Sequence, residues 1–345
     1  MGWGLTIPLT GIPLADQAQL VSALPAFGYS DVWSSEVNGA DAFTPLALAS
    51  VWAPQLQLGT AIVPTYTRGP ALIAMSAATL AAAAPGRFSL GLGASSPAIV
   101  RDWNGLDFDQ PFKRTRDVLR FVNSALAGER VDGTFDTFTI KRFKLESAPT
   151  SPPPVLLAAL RAQMLALAGR EADGVILNWL AATDVAQCLD AVDNSASDVV
   201  ARIFVCPTED ADFARNLARM MITAYLTVPA YAAFHSWLGR GEKLAPMSEL
   251  WKAGDRKRAL AAVPEDVIDE LVLHGTPEEC REKVQAYATA GVRTPVIALL
   301  PTPELASPGV LVDTLRRLGP AQPGSVSEPT ASATSATTTA TLGEK

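Results

Sequence analysis

Histidine and cysteine are scarce in this chain of 345 residues: only His235, His274, Cys188, Cys206 and Cys280 occur, with no C-x-x-C pair. Two histidines exclude a multi-histidine metal centre, and three scattered cysteines exclude a disulfide framework and a thiolate zinc site. A carboxylate-held Mg²⁺ stays open, but no metal is expected. Basic charge is also short. With 28 Lys and Arg against 35 Asp and Glu, the formal charge is -7, and a nucleic-acid partner normally selects a basic face. No run approaches ~20 uninterrupted apolar residues, and residues 1–10 lack a basic leader region. Neither membrane insertion nor export is expected, so the chain reads as cytoplasmic, with its thiols reduced.

What the chain does have is apolar mass, 48% hydrophobic against 18% charged residues, which suits a sheet covered by helices. Short β-rich runs alternate with helical patterns. Strands are predicted over 3–9, 31–35, 57–63 and 88–92, with helices over 14–27, 44–53, 70–83 and 111–127, the last beginning near Lys113, Arg114 and Arg116. Residues 131–154 interrupt the rhythm and read as a surface hairpin followed by Pro152-Pro153-Pro154. Strands over 155–159, 174–178 and 199–206 and helices over 163–171 and 183–194 resume it. Residues 210–273 are helical in pattern and offer no strand, so they are expected to form an insertion after the seventh strand. Thr276-Pro277-Glu278-Glu279 is a capping box opening a helix that Gly291 ends; residues 295–300 give the eighth strand and 309–318 a last helix. The prediction is an α/β chain, a (β/α)8 TIM barrel over 1–318. Residues 319–345, dominated by Pro, Gly, Ser, Thr and Ala, are expected to be a disordered low-complexity tail. An open doubly wound sheet is the rival, but Thr10-Gly11-Ile12-Pro13 is not its glycine-rich first turn.

In such a barrel the chemistry gathers at the C-terminal ends of the strands. Glu36 and Asn38 leave strand two; Glu36 either faces a ligand or caps the next helix or pairs with an arginine. The segment 64–70 after strand three reads mostly as packing. Gly93-Ala94-Ser95-Ser96 offers small residues and hydroxyls to an approaching phosphate, without completing G-x-G-x-x-G. Ala159-Leu160-Arg161-Ala162-Gln163 opens a helix whose free N–H groups favour an anion, with Arg161 either reinforcing that field or lying solvated on the surface. Asn178 and Trp179 close strand six, as site or as packing.

In their order along the chain, residues 29–48 (YSDVWSSEVNGADAFTPLAL), 58–70 (LGTAIVPTYTRGP), 86–105 (GRFSLGLGASSPAIVRDWNG), 156–174 (LLAALRAQMLALAGREADG) and 275–291 (GTPEECREKVQAYATAG) resemble the luciferase-like monooxygenase superfamily, and more closely its actinobacterial coenzyme F420-dependent branch. The resemblance implies the barrel of bacterial luciferase. It also implies a non-prolyl cis peptide at Ala61-Ile62 behind a deazaflavin ring, and F420 contacts from Gly93, Ala94, Ser95 and Ser96, from Ala159 to Gln163 and from Asn178. Glu36 falls where relatives that oxidise glucose 6-phosphate place an acid beside the ring, as catalytic or cofactor-binding residue. Two positions depart from those relatives: Val37 stands where they have a catalytic histidine, and Ser96 where they have an acid, so oxidation by that pair is not expected here.

The function so implied is an F420-dependent oxidoreductase transferring hydride between the deazaflavin C5 and an organic small molecule. An FMN-dependent monooxygenase and a flavin-binding barrel without catalysis are the alternatives. The family habit implies a homodimer. The helical insertion, with Tyr225, Tyr231, His235, Trp237 and Trp251, is the candidate lid, or else plain packing or a dimer surface.

Overall fold

Strand β1 (Gly4–Thr6) opens the chain, and the helical segment after it divides into two 3₁₀ turns flanking α1 (Ala18–Ala23). One continuous helix was the expectation over 14–27; Pro25, which lacks an N–H, sits where the tighter second turn begins. The computed structural model describes residues 2–193 and 198–320, so the tail expected from 321 onward and Asn194 lie outside the described residues.

The order continues β2 (Asp31–Ser34), α2 (Thr44–Trp52), β3 (Gln57–Thr60), β4 (Val63–Pro64), α3 (Pro70–Ala83), β5 (Phe88–Gly93) and α4 (Pro111–Leu126). An antiparallel hairpin, β6 (Val131–Thr134) and β7 (Thr139–Phe143), follows where one was predicted, and Phe135, Phe138 and Phe143 pack around Phe121 of α4. Next come β8 (Val155–Ala158), α5 (Ala162–Glu171), β9 (Gly174–Asn178), α6 (Val185–Val192) and β10 (Asp198–Cys206). The insertion is α7 (Ala211–Leu226), α8 (Pro229–Trp237), α9 (Gly241–Lys252), α10 (Arg256–Ala261) and α11 (Glu265–Leu271). Last are β11 (Val272–His274), α12 (Pro277–Thr289), β12 (Thr294–Leu299) and α13 (Pro308–Leu318). The capping box is present at α12: the Thr276 hydroxyl accepts from the Glu279 amide, and the Glu279 carboxylate accepts from the Thr276 amide.

All barrel pairings are parallel and the ring closes as β1–β2–β3–β5–β8–β9–β10–β12 and back to β1. One strand was not expected. β11 pairs with the top of β10, Phe204 to Cys206, beyond Asp198 to Arg202 where β9 pairs, so it widens the barrel rim on that side. Three residues, Val272, Leu273 and His274, directly after a helix carry too little periodicity to be read as a strand.

Inside the ring a compact cluster joins Trp33 of β2, Leu156 of β8, Ile176 of β9, Val200 of β10 and Val296 of β12. Trp33 lies across the barrel because its neighbours yield: a Cβ on Gly59 would stand 2.3 Å from its ring, and one on Gly4 2.8 Å. That layer is the floor of the site. A separate cluster docks the insertion on the rim, with Trp179, Phe204 and Cys206 against Ala214, Ala218 and Ile222 of α7 and Met247 of α9. Arg240, at the start of α9, ties it down electrostatically: it donates to Asp184 in the loop after β9 at 3.0 Å and to Glu270 of α11 at 2.7 Å. Among the described residues no single helix is long and apolar enough to cross a membrane.

Candidate active site at the barrel mouth

Above the floor, the C-terminal strand ends form a shallow plate of small residues. Between β3 and β4 the chain bulges through Ala61 and Ile62, whose peptide bond is cis, as the resemblance implied. The Thr60 hydroxyl fills the interrupted ladder by bonding both backbone groups of Gly91, at 2.8 and 3.0 Å. Ala61, Ile62 and Ala158 pack on the interior cluster and are half-buried. Gly93 completes the plate: a Cβ there would lie 3.1 Å from Ile62 and 3.2 Å from Ala158. Ala159 differs. Its side chain is buried in the outer core between strands and helices, so only its backbone faces the rim, and Ala158, which precedes it at the end of β8 and was not among the expected coenzyme contacts, points inward instead.

Glu36 stands beside this plate, its amide donating to the Ile62 carbonyl at 3.3 Å. Its carboxylate is fully engaged. Arg68 donates to it through Nε (3.0 Å to both oxygens) and Nη2 (2.7 Å), and the Ala42 amide donates at 3.1 Å just before α2. Of the roles open to Glu36, the arginine pair is the one the coordinates hold. Hydrogen bonding to Glu36 raises the Arg68 pKa, so the cation is permanent, and it also stacks on Phe43 at 5.2 Å. The segment 64–70, expected to be bland packing, thus supplies the partner. Val37 is exposed next to the pair.

On the β5 side Ala94, Ser95 and Ser96 are half-buried; Ser95 has φ of 68°, and the Ser96 hydroxyl accepts from the Ile99 amide at 3.4 Å. Arg161 is the N-cap of α5, exposed and in extended backbone, followed by exposed Ala162 and Gln163; half-buried Leu160 precedes them. No acidic side chain stands in that first turn to compete for its N–H groups, of which the Met164 amide bonds the Arg161 carbonyl at 2.9 Å.

Across the mouth, α7 and α8 bring Tyr225 and Tyr231 over β9 and β10. The Asn178 amide donates to the Tyr231 hydroxyl at 3.0 Å, while its Oδ1 is buried without a partner. Burial pushes the Tyr231 phenol up to about 12, so it stays a neutral hydrogen-bonding group. Next to it lies Arg202, which the sequence reading missed inside the apolar run of β10; its guanidinium sits 4.7 Å over the Phe204 ring. An arginine within a strand buried on both faces was the available signal. Of the other insertion residues singled out, His235 is buried, Trp237 stacks on Phe234 at 6.1 Å, and Trp251 carries Arg256 at 3.6 Å. Two hollows lie away from the plate, about 690 Å³ between the first and last helices and about 680 Å³ beside Thr208 and His274; neither touches Ala61, Ile62 or Gly93.

A closed parallel β/α barrel defines a class of proteins in which enzymes carry their active sites at the C-terminal ends of the strands. The family model for luciferase-like monooxygenases matches residues 4–294, and the chain belongs to that family of enzymes. A Mycobacterium tuberculosis protein assigned as a coenzyme F420-dependent oxidoreductase is 26% identical over 318 residues, covering 83% of this chain and 91% of that protein. The 5,10-methylenetetrahydromethanopterin reductase of Archaeoglobus fulgidus is 25% identical over 286 residues, 79% of this chain and 85% of that one. Among solved structures, the coenzyme F420-dependent tetrahydromethanopterin reductase of Methanopyrus kandleri superposes with a TM-score of 0.73 at 22% identity, covering 92% of this chain and 97% of that chain.

Proposed function

We propose that this chain is a coenzyme F420-dependent oxidoreductase acting on a small organic molecule. The plate of Ala61, Ile62, Gly93 and Ala158 suits a planar tricyclic ring, because it offers apolar contact and almost no competing polar groups. Buried atoms without partners stand at its edge, Asn178 Oδ1 and Thr6 Oγ1, where the ring's carbonyl and N–H groups would satisfy hydrogen-bonding capacity. The observation that carries the choice of deazaflavin is the near full-length likeness to F420-dependent relatives.

When bound, the deazaflavin supplies hydride chemistry at C5. The chain's part is to hold and orient. Ala61 and Ile62 back the ring, and Gly93, Ala94, Ser95 and Ser96 approach its edge with backbone and hydroxyl groups. Ala159, Leu160, Arg161, Ala162 and Gln163 present helix N–H groups and one cation to the phosphate-bearing tail. Glu36 acts as a positioning residue, since its carboxyl group, accepting four hydrogen bonds from Arg68 and Ala42, braces the β2–β4 edge of the plate.

Titration of purified protein with F420 and, separately, with FMN, followed by ring fluorescence, tests the reading. Saturable micromolar binding of F420 in preference to FMN is expected. Preference for FMN would move the chain to oxygen-dependent monooxygenation, and binding of neither would remove the site. Gly93→Val should weaken F420 binding at least about tenfold, ~1.4 kcal/mol, because its methyls enter the space against Ile62 and Ala158. Glu36→Gln should weaken it less, by about threefold, through a loosened Arg68; unchanged affinity and turnover would take Glu36 out of the site.

A further inference from the structure

Arg202 is an anomaly in the way this protein treats buried arginines. Arg240 is held by Asp184 and Glu270, and Arg68 by Glu36 and Asp41, while half-buried Arg87 and Arg114, which pair with no carboxylate among the described residues, donate to the backbone carbonyls of Leu56, Ser50 and Thr65. Arg202 is half-buried, its Nε is buried without a partner, and the phenols of Tyr225 and Tyr231 lie close to it. No carboxylate among the described residues pairs with it. A cation partly withdrawn from water without a counter-charge is unfavourable unless another group compensates it.

Its position says where that compensation comes from. Val200 lies in the interior cluster, so Arg202, two residues on, projects from the same face of β10 one layer nearer the mouth. In the closed ring β10 is diametrically opposite β3: β5, β8 and β9 lie between them on one path, and β2, β1 and β12 on the other. Arg202 therefore faces the Ala61–Ile62 plate across the mouth. Asn178 stands beside Arg202 in the β9–β10 register, and its Nδ2, which donates to the Tyr231 hydroxyl at 3.0 Å, carries a second hydrogen for an acceptor there.

We propose that Arg202, Asn178, Tyr225 and Tyr231 bind a carboxylate carried by the substrate, which fixes the reacting part of the molecule between them and the plate. This rests on the deazaflavin reading for what occupies the plate, not for the anion site itself. A carboxylate fits better than a phosphate ester. One planar guanidinium fork and the phenol hydroxyls match a monoanion better than a phosphate dianion, and among the described residues no second cation acts on Arg202. Aromatic walls of Phe204, Trp179 and Tyr225 add an apolar flank, with Trp179 4.1 Å from Phe204 and 4.8 Å from Tyr225 between ring centres.

The test uses benzoate and its uncharged analogue benzyl alcohol as probes, titrated calorimetrically into the protein with and without F420. Benzoate should bind at least tenfold more tightly than benzyl alcohol, and Arg202→Met should abolish that preference while changing F420 affinity less than threefold. Arg202→Lys should keep only part of it. Because Arg202 leaves no carboxylate orphaned, Arg202→Met should fold with an unfolding temperature at or above that of the wild type; if it does not fold, Tyr231→Phe combined with Asn178→Leu should cut the preference at least fivefold. Equal binding of both probes, or a preference that survives in Arg202→Met, would overturn the proposal. Competition between benzoate and F420 would assign Arg202 to the coenzyme's acidic tail and overturn it as well. Should FMN and not F420 bind, a benzoate preference measured on cofactor-free protein would still stand, so the two readings fail separately.

Discussion

Arg240→Met should lower the stability of the protein by roughly 3–5 kcal/mol, and its unfolding temperature by roughly 5–8 °C, the largest loss expected of any single side chain outside the apolar core. Arg240 is only 7% exposed and spans three parts of the fold. It donates through Nη1 to Asp184, itself 7% exposed, and through Nε and Nη2 to Glu270 at 3.0 and 2.7 Å. Removing it leaves a buried carboxylate with one remaining backbone donor, the Ala181 amide at 2.7 Å. Glu270 can turn to solvent because it is more exposed, so most of the cost falls on Asp184. Thermal unfolding followed by circular dichroism reads the effect. Arg240→Lys, which keeps the charge but not the fork, should lose about half as much. A loss under 1 °C for Arg240→Met would mean that the apolar contacts of Trp179 and Phe204 with α7, not this cation, hold the insertion to the rim.

That insertion also shows where sequence reasoning stops. The barrel strands were legible because buried parallel strands announce themselves as short apolar runs, and the capping box at Thr276 because its chemistry is local. The split of β3 from β4 was not visible as periodicity; it came only through resemblance. β11 was hidden because Val272 to His274 is shorter than any pattern, and its partner, Phe204 to Cys206, is 68 residues away. The site was half legible. Strand ends gave Gly93, Arg161 and Asn178, but an alternation with no polar face could not say whether Ala158 or Ala159 points inward. Glu36 could not be given its role without Arg68, which is 32 residues distant. Arg202 carried no signal beyond being the one charged residue inside the apolar run of β10, and only closure of the ring sets it opposite Ala61 and Ile62.

Acid should destabilise the protein earlier than its carboxylates alone require, and His235 is the reason. It is fully buried on α8, and burial first, then the nearby Arg240 cation, push its pKa down from 6.5 to about 4. The fold therefore prefers the neutral ring. As pH falls below 6.5 the unfolded chain takes up a proton that the folded chain refuses until about pH 4, so stability is fully present above 6.5 and is lost between 6.5 and 4. A shift of that size corresponds to about 3 kcal/mol. The paired carboxylates with lowered pKa, such as Asp269 and Glu278, lose their stabilisation only below about pH 4, so denaturant unfolding between pH 7 and 4.5 isolates the histidine. Over that interval His235→Leu should flatten the profile. Arg240→Met should shrink its slope as well, since one of the two causes of the shift is gone. An unchanged slope in His235→Leu would place the acid sensitivity elsewhere.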